Sequence, residues 1–185
     1  MIYTFIASHL NEYRKNILLN NLKNITYSSK VIISYSSEIG EIDFGDKVFK
    51  VFYSQNKKSQ FEHLFNIITN FIFERDDIIF FQDDDDISYQ NRILVQSQYL
   101  SHSNINKSNI EKNEWCNCKM IKIKNNEIIG YTYDFAGLCM KYYLLEECIK
   151  DLPLKEKECD KLFIKKVYER KGININDVLY IYNIR

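Results

Sequence analysis

The chain has 185 residues, 45% of them hydrophobic, and its 25 basic side chains balance 25 acidic ones. That length suits one domain, or one domain with a small subdomain, and leaves no room for two full ones. A formal net charge of zero excludes a global basic field, so no nucleic-acid partner is expected, and 15% aromatic residues with one proline exclude a disordered or collagen-like chain.

Ile2 to Ala7 is an apolar run of strand length, after which Ser8 or Asn11 can cap a helix carrying Tyr13, Ile17, Leu18, Leu22 and Ile25 at helical spacing. Val31 to Tyr35 and Val48 to Tyr53 predict two further strands with nothing helical between them. Ser59 can cap a helix whose stripe is Phe61, Leu64, Phe65, Ile68 and Ile72. Ile78-Ile79-Phe80-Phe81 then reads as a strand covered on both faces. Tyr89 to Leu100 again has helical spacing, and a polar link runs to about Asn113. Beyond it, Trp115 to Ile123 and Glu127 to Tyr133 flank Asn125-Asn126, a hairpin turn made from residues that tolerate positive φ. Lys141 to Ile149 and Asp160 to Lys171 read as helices, the second closed by Gly172, and Val178 to Tyr182 as a last strand. Alternating strands and helices in the first half predict an α/β fold with a mixed, mainly parallel sheet and helices on both faces.

Five cysteines with no secretory leader ahead of them point to a reducing, cytoplasmic setting. The most apolar long stretch, Phe61 to Phe81, is interrupted by Glu62, His63, Asn66, Asn70, Glu74, Arg75 and Asp76, so no membrane span is expected. Cys116 and Cys118 lack a second pair to complete a zinc site, and packing is their expected role. His9, His63 and His102 form no metal-binding pattern, and His9 is of interest only because it follows the first strand. Trp115 is expected in the core.

The run Asp83-Asp84-Asp85-Asp86 follows a buried strand directly. That edge of an open α/β sheet is where ligands bind. Adjacent carboxylates raise one another's pKa, and a cation relieves the repulsion; oxygen-only ligands suit Mg²⁺, Mn²⁺ or Ca²⁺. Neither GxxxxGK[ST] nor GxGxxG occurs, so a bound ion would have to neutralise phosphates that backbone amides cradle elsewhere. An EF-hand loop is excluded, because its glycine and terminal glutamate are absent.

The stretch Asp77-Ile-Ile-Phe-Phe-Gln-Asp-Asp-Asp-Asp-Ile-Ser-Tyr-Gln-Asn-Arg-Ile resembles the DxD region of family 2 glycosyltransferases of the GT-A fold, where a hydrophobic strand runs into Leu-Asp-x-Asp-Asp and then a helix. Ile6 to Glu12 resembles that family's first strand and loop without its usual Pro-Thr-Tyr-Asn, and Val31 to Tyr35 resembles its second strand without the base-contacting aspartate. Ser54 to Leu64 and Leu179-Tyr-Ile-Tyr-Asn resemble two later segments, so the likeness covers nearly all of residues 1–185.

The resemblance implies a single GT-A-like domain, with a nucleotide-sugar half over residues 1–100 and an acceptor-side half over residues 113–185. It implies a metal-dependent, inverting transfer, using Mn²⁺ or Mg²⁺, from a nucleotide diphosphate sugar of UDP or GDP type to the hydroxyl of a glycan or other acceptor. Asp85 would coordinate the metal, and Asp83 would lie near the ribose or a metal-bound water. Asp84 would point elsewhere by strand alternation, though still beside the nucleotide. Asp86 would support the site or face the acceptor. Ala7, Ser8 and Ser36 would pack the nucleoside, Lys57 and Lys58 are candidates for phosphate contact, and Arg92 would steady the acidic loop. The family's base lies in a Glu-Asp motif, to which Glu156-Lys-Glu-Cys-Asp-Lys-Leu-Phe corresponds. In one register Glu158 matches the glutamate and Cys159 the aspartate; in the next, Asp160 is the base, with Glu158 second and Asp134 a third candidate. Two alternatives share the acidic site: a nucleotidyl- or phosphotransferase, and an inactive relative that binds a nucleotide or glycan. Homo-oligomerisation is left open.

Overall fold

β1 (Ile2–Leu10) lies inside a nine-stranded sheet. The computed structural model describes residues 1–25, 29–101 and 113–183, so His102 and most of the polar link before Asn113 lie outside it. In chain order, α1 (Glu12–Ile25), β2 (Lys30–Ser37), β3 (Lys50–Ser54), α2 (Gln60–Asn70) and β4 (Ile78–Gln82) build the first half. β5 (Ile87–Ser88), α3 (Arg92–Ser101), β6 (Trp115–Lys124), β7 (Glu127–Thr132), β8 (Leu138–Lys141), α4 (Tyr142–Ile149), α5 (Cys159–Tyr168) and β9 (Gly172–Asn183) complete it. The sheet order is β3-β2-β1-β4-β8-β6-β9-β5, with β7 paired to the far end of β6. β3, β2, β1 and β4 are parallel, as are β6 and β9; β8 is antiparallel to both β4 and β6 and joins the halves.

Side-chain alternation divides the core by face. Tyr3, Phe5, Ala7, Ile79 and Phe81 point toward Phe61, Leu64 and Ile67 of α2 and toward α4 and α5, whereas Ile6 and Leu10 meet Leu18, Leu22 and Ile25 of α1. Ile78 and Phe80 meet Ile93 and Leu100 of α3. All five residues of β4 are buried, which explains their uninterrupted apolar run. Five cysteines are free and buried, consistent with packing.

Local chemistry accounts for the element ends. The Asn11 side chain accepts the Arg14 N–H at 3.0 Å and caps α1, while Ser8 remains inside β1. Ser59 and Glu62 form a complete capping box on α2, and Ser59 Oγ also donates to the Leu154 carbonyl, tying that helix start to the segment before α5. Asn125 and Asn126 adopt φ of 51° and 66°, as the hairpin requires.

Four expectations need correction. A short 3-10 turn, Gly45–Lys47, stands between β2 and β3, and Ile42 and Phe44 from the same connection pack into the core. β8 and the two-residue β5 were not foreseen, because they are too short for a periodic signal. Gly172 does not close α5, which ends at Tyr168 with Glu169 still in right-handed helical geometry. It opens β9 against the indole of Trp115, where a Cβ would come within 2.1 Å of the ring. Trp115 itself is 6% exposed, stacks on Tyr168 at 4.6 Å and donates to the Arg170 carbonyl, so it is core.

Candidate active site

β4 ends at Gln82, and the chain turns through Asp83 to Asp86 before β5. This acidic turn is anchored from several directions. The Gln82 amide donates to the carbonyls of Asp83 (2.8 Å) and Asp86 (3.0 Å), and Asn21 on α1 donates to the same Asp86 carbonyl at 2.9 Å. From β9, the Tyr180 hydroxyl accepts the Asp83 N–H at 3.0 Å, the Asn183 amide donates to the Asp85 carbonyl, and the Asn183 N–H donates to Asp86 Oδ1, both at 2.8 Å. The last strand of the chain thus fixes a turn about a hundred residues earlier.

The turn forms one wall of a cleft of about 520 Å³ at the carboxyl ends of β1 and β4, lined by Ala7, Ser8, His9, Arg14, Lys58, Gln60, Asp83, Asp84, Asp85, Tyr182 and Asn183. Of the residues expected there, Ala7, Ser8, Asp83, Asp84, Asp85 and Lys58 are brought together, and Lys57 is exposed away from it. Asp84 corrects the alternation expectation. It follows the end of the strand, so the period of two no longer applies, and its carboxylate meets Arg14 Nη1 at 3.3 Å. Ser36 is also displaced from its expected role: it is fully buried, with His9 Nδ1 at 2.9 Å and His63 Nε2 at 3.2 Å from its hydroxyl, so His9 is the residue that meets the cleft.

Electrostatics set the acidic turn apart. Burial, followed by the charges of Asp84 and Asp85, pushes the Asp83 carboxyl up to about 7, and a 2.7 Å hydrogen bond from Gln60 opposes the rise. Burial and the Asp83 charge push Asp86 up to about 8. Burial also raises Asp84, opposed by the Arg14 guanidinium. Among the described residues nothing donates a hydrogen bond to the buried Asp84 Oδ2 or Asp86 Oδ2. Arg92 is 1% exposed, donates to Gln96, Ser88 and the Ala136 and Leu138 carbonyls, and lies 4.7 Å over the Tyr180 ring. It reaches the acidic turn only indirectly, over the Tyr180 ring whose hydroxyl accepts the Asp83 N–H.

Among the described residues no three His, Cys, Asp or Glu side chains converge as a ready-made metal centre. The acidic turn still fits a hard divalent cation, since its donors are all oxygens, two of its buried carboxylate oxygens lack partners among the described residues, and burial together with neighbouring carboxylates raises Asp83 and Asp86, a cost that a cation would relieve. Asp83, Asp84 and Asp85 line the cleft; Asp84 is engaged by Arg14, and Asp85 and Asp83 are the pair that could hold the ion beside the unpartnered oxygens of Asp84 and Asp86, leaving other coordination positions for a ligand.

The base candidates are spread out. Glu158 is fully exposed and paired with Lys161 at 2.7 Å, whose hydrogen bond and charge hold its carboxyl below the usual range. Asp160 is half-buried in the first turn of α5, and neither residue lines the cleft. α5 is nonetheless packed close by, with Phe163 against Phe61, Phe81 and Phe135. Asp134 accepts the Phe135 N–H at 2.7 Å, and its charge contributes to the raised pKa of Asp83.

Arg14, Gln60, Tyr182 and Asn183 are the cleft residues that sequence reasoning missed. Gln60 follows a recognisable N-cap and Tyr182 and Asn183 end the Leu179-to-Asn183 segment, but no local pattern marks Arg14, and these side chains from α1, α2 and β9 meet at the cleft only in the folded chain.

Solved structures with this architecture include the S. aureus TarS 1-349 fragment in complex with UDP-GlcNAc (TM-score 0.70, 13% identity), which matches 100% of this chain and 59% of its own. A mannosyltransferase from Pyrobaculum calidifontis in complex with GDP-Man and Mn²⁺ matches over 97% of this chain and 56% of its own, at TM-score 0.63 and 12% identity. The fold is that of the GT-A nucleotide-sugar transferases. A Francisella tularensis 2-C-methyl-D-erythritol 4-phosphate cytidylyltransferase also matches, at TM-score 0.59 and 10% identity, over 95% of this chain and 89% of its own. The chain spans little more than half of the two glycosyltransferase chains. No protein-family model matches it, nor does any curated protein by sequence. Among the described residues no helix is long and apolar enough to cross a membrane.

Proposed function

We propose that the chain is a metal-dependent glycosyltransferase that moves a sugar from a nucleotide diphosphate donor of UDP or GDP type to an acceptor hydroxyl, with inversion. The observation that carries this reading is the buried acidic turn at the end of β4, opening onto a 520 Å³ cleft in a GT-A fold. Neighbours of the same fold are bound to UDP-GlcNAc and to GDP-Man with Mn²⁺, which supports this donor class and metal. Residues 1–100 would carry the donor, with Tyr182 and Asn183 reaching in from the acceptor-side half, 113–185. Asp85 and Asp83 would hold Mn²⁺ or Mg²⁺, which when bound stabilises charge on the departing diphosphate. Ala7, Ser8 and His9 would border the nucleoside, and Lys58 the phosphates.

Asp160 is the proposed base. It would take the acceptor hydroxyl's proton as the acceptor oxygen bonds to the anomeric carbon and the bond to the diphosphate breaks. Its place in the first turn of α5, where the helix dipole favours a carboxylate, supports it over exposed Glu158. Asp134 is the competing base, because its charge is felt at Asp83.

A thermal-shift panel of nucleoside diphosphates and nucleotide sugars, with and without Mn²⁺, tests the reading. A Mn²⁺-dependent rise for one nucleotide class is expected, and a panel without any rise contradicts it. The cytidylyltransferase likeness favours a second reading, nucleotidyl transfer. Release of pyrophosphate instead of a nucleoside diphosphate would establish that one.

A further inference from the structure

Arg14 stands where the charge accounting of the cleft is least settled. Its guanidinium spans two consecutive members of the acidic turn, with Nη1 3.3 Å from Asp84 Oδ1 and Nη2 3.7 Å from Asp85 Oδ2. Asp84 is nearly buried (6% side-chain exposure), whereas the Arg14 side chain is 32% exposed and lines the cleft. The cleft wall carries Asp83, Asp84 and Asp85 against Arg14 and Lys58. The contact to Asp84 is short and shielded, and the one to Asp85 is long enough to be exchanged. A guanidinium is also a planar fork that suits phosphate as well as carboxylate.

We propose that Arg14 is a built-in counter-cation: it neutralises the Asp84–Asp85 edge while the cleft is empty, yields Asp85 to the divalent ion, and turns its freed N–H groups to the donor diphosphate. The proposal rests on the donor site assigned above. It makes Arg14 a positioning and specificity residue with two effects of opposite sign. Against the metal alone it is a like-charge competitor. Against the metal-bound diphosphate it is an attractive partner. A merely structural ion pair would weaken both kinds of binding when removed, because loss of Arg14 would then only loosen the turn.

The test compares wild type with Arg14→Gln. Mn²⁺ binding is measured without nucleotide, from the loss of the free-ion electron paramagnetic resonance signal, and UDP and GDP binding at saturating Mn²⁺ by calorimetry. Arg14→Gln is expected to bind Mn²⁺ about two- to fivefold more tightly, and the preferred nucleoside diphosphate more weakly by a similar factor, the scale of one partly exposed charge contact. Should Arg14→Gln fail to fold, Arg14→Lys, which keeps the charge but cannot bridge two carboxylates, is expected to shift both affinities in the same directions by less. Mn²⁺ affinity unchanged or lowered in a folded variant overturns the role of Arg14, even where a nucleotide binds and the donor-site reading stands. Tighter Mn²⁺ binding in Arg14→Gln, with no nucleotide bound by either protein, supports Arg14 as counter-cation and overturns the donor-site reading instead. Absence of Mn²⁺ binding in both proteins overturns both.

Discussion

Two acidic stretches stand out in this chain, and the fold treats them oppositely. Asp83 to Asp86 lies at the end of a fully buried strand, held by Gln82, Asn21, Tyr180 and Asn183, with Asp83 and Asp86 pushed up to about 7 and 8 by burial first. Glu156 and Glu158 are exposed before α5, and Glu158 is satisfied by Lys161. Both segments are rich in carboxylates, yet only the first is made costly by its surroundings, and a carboxylate cluster maintained at a cost in stability is one that a bound cation can relieve. Density of charge along a chain is therefore a weaker sign of function than charge delivered to a place without water.

Experiments can break this contrast. The largest effect is expected for Asp85→Ala, with turnover of a donor falling about a thousandfold or more as nucleoside diphosphate release is followed. Asp160→Asn is expected to lower turnover about a hundredfold or more, with little change in donor affinity by calorimetry, while Glu158→Gln stays within about twofold. If Asp134→Asn rather than Asp160→Asn produces that loss, the base belongs to the turn before β8. A third change probes the scaffold: Arg92→Met leaves the Ala136 carbonyl and Gln96 without their buried donor and should destabilise the fold by about 2–4 kcal/mol in urea denaturation, with Asp85 untouched.

The smallest effect is a pH dependence. His63 is buried between Ser34 and Ser36, and burial first, then the Lys58 charge, lower its pKa to about 4 from 6.5. Between those values the unfolded chain binds more protons, so the His63 contribution is complete above about pH 6.5 and is lost as the pH falls toward 4. Asp83 and Asp86, raised in the folded chain, act in the opposite direction as the pH rises. The readout is accordingly the difference between wild type and His63→Gln in thermal midpoint across pH 4 to 7, which should narrow toward low pH.

Much of the fold was legible in advance. Burial of β4 on both faces demanded an unbroken apolar run, the Ser59 cap announced α2, and Asn125-Asn126 marked its hairpin in the second half. Reading failed where a residue answers to a distant partner. Gly172 is small because the Trp115 indole lies against it, not because a helix stops there, and Ser36 sits beneath His9 rather than on the cleft wall.

Hydrophobic period and charge are written locally, so the acidic turn and the strand that delivers it follow from the order of the residues. Which side chains answer that turn follows from packing between distant elements. Arg14 from α1, Gln60 from α2 and Asn183 from β9 are far apart in the chain, and it is the packing of their elements around β1 and β4 that brings them to one turn, Arg14 to the Asp84 carboxylate, Gln60 to that of Asp83 and the Asn183 N–H to that of Asp86.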